Sequence, residues 1–227
     1  MIQEQHAAAQ QARAEALRIE VDRYKEECAK RDKEVAEHNA SIDQFITNLS
    51  YGAVDAVQEY ISIVLANSIY PEGFEVEHEA EFDPENAELA LRVLIPAPNS
   101  IPSIKSYRYV KASDEIAPVA LAQKDAKDRY AGVVHQIALR TLHEVFESDR
   151  RALIQTISLE VGTETINPAT GRETYVLLAA VGAPRDAFSE VELSGVIPSA
   201  TLEHFGASVS KNPLGLVPAN SAGVRRS

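Results

Sequence analysis

One cysteine, Cys28, stands in 227 residues. That excludes an internal disulfide framework and any multi-cysteine zinc site, and it fits a reducing compartment, with the cytoplasm as the default. Bases are in deficit: 22 Lys and Arg stand against 34 Asp and Glu, for a formal charge of −12. No whole-molecule field therefore draws the chain onto phosphates, although local basic patches stay open. No run of about 18 apolar residues occurs, and the opening Met1-Ile2-Gln3-Glu4-Gln5 lacks the basic flank and apolar core of an export signal. The chain is expected neither to be exported nor to span a membrane. A Gly-rich phosphate loop, a Gly-x-Ser-x-Gly elbow and a His/Cys cluster are missing as well, which removes the usual signatures of nucleotide, hydrolase and metal chemistry.

Residues 1–51 contain neither glycine nor proline, and they do contain a repeat. Steps of three and four from Ala14 reach Leu17, Val21, Tyr24, Cys28, Arg31, Val35, His38, Ile42, Phe45 and Leu49, the seam of a coiled coil held over about five heptads. Such a rod, about 54 Å long from Ala14 to Leu49 at ~1.5 Å per residue, cannot bury its stripe on itself. A homo-oligomer is expected. Arg31 and His38 read as register residues and Cys28 as a small seam hydrophobe. In a parallel pair the flanks are mixed, with Glu20 facing Lys25, Glu27 facing Asp32 and Arg13 facing Arg18, so antiparallel and intramolecular packing stay open. The helix is expected to bend near Gly52 and resume to Ser68 as a hinge, ended by Pro71 and Gly73.

From Phe74 the period becomes two. Val76, His78, Ala80 and Phe82 alternate with Glu75, Glu77, Glu79 and Glu81, and Leu89, Leu91, Val93 and Ile95 return after the turn at Asp83-Pro84, which predicts a hairpin with an acidic outer face. Eight acids and no Lys or Arg lie between Glu72 and Glu88, a face closed to a nucleic-acid backbone. The glutamate row reads as solvated rather than as a cation site. A third strand is expected over Ser106–Ala112, then a long helix over Gln123–Asp149 with an apolar face, a hairpin pairing Ile154–Val161 with Tyr175–Val181, a helix near Ala200–Ser208 and a loop-like tail. The predicted class is α+β: a long N-terminal coiled-coil helix, then an antiparallel sheet of about five strands with a long helix across one face. The division is a rod and hinge helix over 1–70, a globular domain over 71–210 and a flexible tail over 211–227.

Four segments, "YRYVKASDEI" (107–116), "YAGVVHQIALRTLHEVFESDR" (130–150), "TINPATGRE" (165–173) and "APRDAFSEVEL" (183–193), carry a resemblance. Over about residues 50–217 the chain resembles the non-catalytic region, with its own coiled coil, that precedes the nuclease domain of actinobacterial Mrr-type restriction endonucleases. The resemblance implies that cleavage belongs to a following domain, whose Asp and Glu/Gln-x-Lys hold Mg²⁺, and that this chain stops at its threshold. No catalytic, cofactor-binding or metal-binding residue is therefore assigned, and Mg²⁺ is expected only for that other domain. Lys111, Asp114 and Glu115, which superficially suggest a nuclease centre, read as a strand end and turn upstream of it. Asp125 and Lys127 lie two apart in a helix and face different ways.

The expected function is a non-catalytic targeting or oligomerisation module of a DNA-restriction protein, either a fragment or a short form that works with a separately encoded nuclease; the alternative is a stand-alone coiled-coil scaffold or protein-interaction protein unrelated to DNA. Weak contact with a DNA backbone, if made, falls to Arg108, Lys111, Lys127, Arg140, Arg150 and Arg151. The competing reading is that these bases are solvated or paired with nearby acids.

Overall fold

The computed structural model describes residues 2–220, without the side chains of Ile2 and Glu4. The chain divides into two compact units between Tyr51 and Gly52. The first is a single helix, α1, Ile2–Ser50, of 49 residues, about 74 Å at ~1.5 Å per residue. Intrahelical pairs line it, among them Arg23–Glu20 at 2.6 Å and Lys33–Glu37 at 3.7 Å. Exposed pairs of this kind each contribute about 0.3–0.5 kcal/mol. They support the helix without burying anything.

The second unit opens with α2, Val54–Ala66, entered through Gly52 at φ +70°, a left-handed conformation that favours glycine. Val57, Ile61 and Leu65 recur every fourth residue and are buried, one helical face turned inward. That face packs on the strand β1, Glu77–Asp83, and on the helix α3, Gln123–Ser148. The helix expected to be a hinge is thus part of the globular core.

Five strands form the main sheet: β1, β2 (Glu88–Leu94), β5 (Thr156–Ile166), β6 (Glu173–Pro184) and the two-residue β7 (Ser208–Val209), in that order. Both predicted hairpins are present, β1 with β2 and β5 with β6. The sheet is mixed rather than wholly antiparallel, because β2 and β5 run parallel. Between them α3, 26 residues long, carries the chain back along the sheet, so β5 starts at the same end as β2; parallel neighbours require such a crossover.

Three cross-strand rows make the covered face. Phe82, Leu89, Ile157 and Ala183 form one, Ala80, Leu91, Leu159 and Val181 the next, and His78, Val93, Val161 and Ala179 the third. All but Ala80 and His78 are buried. The helix α3 lies against β5 and β6, presenting Val134, Ala138, Leu142 and Val145, all buried. The α+β class and the long helix across one face therefore hold.

The expected third strand does not join this sheet. Strand β3, Ile104–Val110, pairs with β4, Glu115–Ala120, as a separate two-stranded hairpin. Its residues are exposed on both faces except the half-buried Val110 and Ala117. Sequence patterning missed β4 because it is short and contains Pro118, a residue that argues against a strand except at an edge. Short helices α4 (Arg185–Ser189) and α5 (Pro198–His204) follow β6, so the helix expected to reach Ser208 ends at His204. Of the tail read as flexible, 221–227 lie outside the described residues, while Ala219 donates its N–H to the carbonyl of Leu177 at 2.8 Å, beside β6.

Candidate interaction surfaces

On α1 the predicted seam is laid bare. Leu17 and Tyr24 are more than 60% exposed, and Val21, Val35 and Ile42 are more than 40% exposed; Arg31 and His38 are exposed too, while Cys28, Phe45 and Leu49 are half-buried. Large apolar side chains in a row on a helix, with water as their neighbour, are the surface that a partner helix covers. Arg31 donates to the Cys28 sulfur at 3.5 Å, a local contact along the stripe.

The six bases considered for DNA contact fall in separate places. Arg108 stands on β3 opposite Ala117, and Lys111 follows at the turn; both are exposed. At that turn the Tyr109 hydroxyl donates to Asp114 at 2.5 Å, which raises the Tyr109 pKa above its ordinary value. Asp114 is thus a turn residue, with φ +54°, in keeping with its reading as the end of a strand. Lys127 is exposed in the first turns of α3, about 20 Å along the axis from Arg140. Arg140 is committed: it pairs with Glu144 at 2.6 Å, donates to the Ile69 carbonyl at 2.9 Å and lies 4.7 Å from the ring centre of Tyr70. Arg150 shares a depression with Arg140, lined also by Glu144 and Glu147, whose charges oppose a phosphate there. Arg151 is exposed.

The face of the main sheet away from α3 carries the expected acids in register. Glu79, Arg92, Glu160 and Ala180 form one row and Glu81, Ala90, Ser158 and Gly182 the next. Arg92 reaches Glu79 at 3.4 Å and Glu160 at 3.6 Å and lies 5.3 Å from the Tyr175 ring centre, so the cation is already shared by two carboxylates. Among the described residues no group of three or more His, Cys, Asp or Glu is placed to hold a metal ion, and no helix is long and apolar enough to cross a membrane.

Two features escaped sequence reasoning. Asp149, 8% exposed, accepts N–H bonds from Leu153 at 3.1 Å and Ile154 at 2.8 Å and pairs with Arg185, which also donates to the Ile154 carbonyl at 2.7 Å. Two of the four quoted segments meet here, the end of "VFESDR" and the start of "APRDAF". The second is an apolar groove of about 460 Å³ between Tyr70, Phe74, Ile101, Val133 and Ile137, with Arg129 and Arg140 among its lining. It joins segments remote in sequence, so no local pattern signals it. Arg129 donates to the Pro102 carbonyl at 2.7 Å and ties the approach of the β3–β4 hairpin to α3.

No family model, no curated protein and no solved structure matches this chain.

Proposed function

We propose that this protein is a non-catalytic module that brings copies together through α1 and presents an α+β head for targeting, as part of a DNA-restriction system of Mrr type. The observation that carries the self-association is the exposed apolar stripe from Leu17 to Ile42, which leaves the helix with an unmet hydrophobic demand. The tie to restriction rests on the resemblance of the four segments. The chemistry then belongs to a Mg²⁺-dependent nuclease domain outside these residues, and the cytoplasm is where the two work together.

Light scattering on the full chain tests the first part: a mass above that of one chain is expected, and removal of residues 1–51 should leave a monomeric head. A monomeric full chain sinks it. Incubation of the purified chain with Mg²⁺ and duplex DNA, methylated or not, tests the second; cleavage that survives mutation of Lys111, Asp114 and Glu115 and still follows the chain through purification overturns the non-catalytic reading.

A second reading, a scaffold for a protein partner with no link to DNA, is favoured by the commitment of Arg92 and Arg140 to carboxylates. Of the six candidate bases the commitment of Arg140 leaves Arg108, Lys111, Lys127, Arg150 and Arg151 exposed, against a charge of −12.

A further inference from the structure

Resting on that self-association, the arrangement of side chain sizes along the seam specifies its partner. We infer that α1 pairs with α1 of a second copy in antiparallel orientation, with Cys28 opposite the partner's Arg31. In that register residue numbers facing one another sum to 59. Ala14 then meets the partner's Phe45, Leu17 the partner's Ile42, Val21 the partner's His38 and Tyr24 the partner's Val35. In the Ala14–Phe45, Val21–His38, Tyr24–Val35 and Cys28–Arg31 layers a bulky or charged residue faces a small or medium one, Leu17 and Ile42 meet as matched aliphatics, and each layer repeats about the two-fold axis. Facing positions that alternate large and small fill a core without voids or strain.

The parallel, in-register pair sets each residue against itself. Ala14 against Ala14 leaves a hole, Phe45 against Phe45 crowds, and Arg31 and His38 each form a layer of like groups. Its flanks oppose Arg13 with the partner's Arg18 and Glu27 with the partner's Asp32, against one favourable pair, Glu20 with Lys25.

Charge at the antiparallel flanks is better matched. Lys25 faces the partner's Asp32, and symmetry repeats the pair. Arg13, Arg18 and Glu20 face the uncharged Asn48, Asn39 and Ser41 of the second copy. The one like-charge flank, Glu27 against the partner's Glu34, is muted within each helix, because Arg23 lies 3.7 Å from Glu27 and Lys30 lies 3.9 Å from Glu34. The two Arg31 side chains fall one layer apart instead of in the same layer. Arg31 and Cys28 are already in contact along each helix, at the position the two-fold axis would cross.

The orientation has a functional consequence. Antiparallel pairing puts the two Ser50 ends about 60 Å apart, at opposite ends of the paired segment. Each chain leaves toward its own end, so the residues that follow α1 in the two copies start from separate points rather than from one.

Disulfide trapping in the full chain tests this, in a Cys28→Ser background with Leu17→Cys and Ile42→Cys made as separate variants, one carrying a tag. A disulfide needs Cα atoms about 4.4–6.8 Å apart. Mild oxidation of the mixture should yield the tagged–untagged heterodimer, and neither variant alone should cross-link. Self-cross-linking of L17C or I42C alone overturns the inference in favour of the parallel form while leaving self-association intact. A dimeric mass with no cross-link in any sample also overturns it. A monomeric mass overturns the self-association itself.

Discussion

Arg185 reaches back 36 residues to Asp149 and closes the C-terminal end of α3. The same guanidinium lies 4.8 Å from the Phe146 ring centre and donates to the Ile154 carbonyl, so one side chain at the start of α4 joins the end of α3 to the loop that leads into β5. Asp149 in turn takes the N–H groups of Leu153 and Ile154. The pair is a structural lock.

Removing one partner leaves a buried charge alone, which costs about 3–5 kcal/mol. Arg185→Met should lower head stability by that order in urea unfolding, and Asp149→Asn by somewhat less because its two N–H acceptors survive in part. The double variant should lose clearly less than the sum. Additive losses would show that the two side chains do not act together.

Gly162 offers a second test. A Cβ built there would overlap the Tyr175 ring, because the ring folds across the sheet at the bulge where β5 shifts register against β6. Gly162→Ala should destabilise by about 1–3 kcal/mol through overpacking, and Tyr175→Ala in the same chain should recover part of it. No recovery would place the strain in the backbone instead.

The exposed and the committed bases should behave differently. Arg108→Glu with Lys111→Glu should weaken duplex binding and flatten its salt dependence without moving the melting temperature, whereas Arg140→Glu should lower the melting temperature, because it breaks the Glu144 pair and the Ile69 bond. If charge reversal at Arg108, Lys111, Arg150 and Arg151 leaves affinity and salt slope unchanged, DNA contact is excluded and the head addresses a protein.

Burial pushes the Tyr130 and Tyr175 hydroxyls up to about 12, in Tyr130 while it donates to the Pro96 carbonyl at 2.9 Å. The unfolded chain ionises them near 10. Stability tied to these groups is therefore whole below pH ~10 and lost as pH rises toward 12, since the unfolded state sheds the protons first. An absorbance titration should show two tyrosines ionising well after the others, and Tyr175→Phe should remove part of the alkaline loss of stability. Simultaneous titration of all eight tyrosines in the folded protein would contradict the burial.

Local periodicity made much of this molecule readable. The apolar stripe on α1, the acidic strand β1 with its return β2, the hairpin of β5 and β6 and the apolar face of α3 follow from spacings of three and four or of two, because each element must turn its apolar side to one place. Pairing between distant segments was not readable in that way. The parallel contact of β2 with β5, the exclusion of β3 and β4 into their own hairpin, the bond of Arg140 to the Ile69 carbonyl, and the meeting of Asp149 with Arg185 each join residues whose neighbourhoods carry no mark of the other, whereas the pair of Arg140 with Glu144, four residues on along α3, lies within reach of spacing alone. Sequence by itself determined which faces are apolar and where the elements lie. Only the tertiary structure decided which bases remain exposed and which acids are spoken for, since burial and charge pairing depend on what the chain brings back from far along its length.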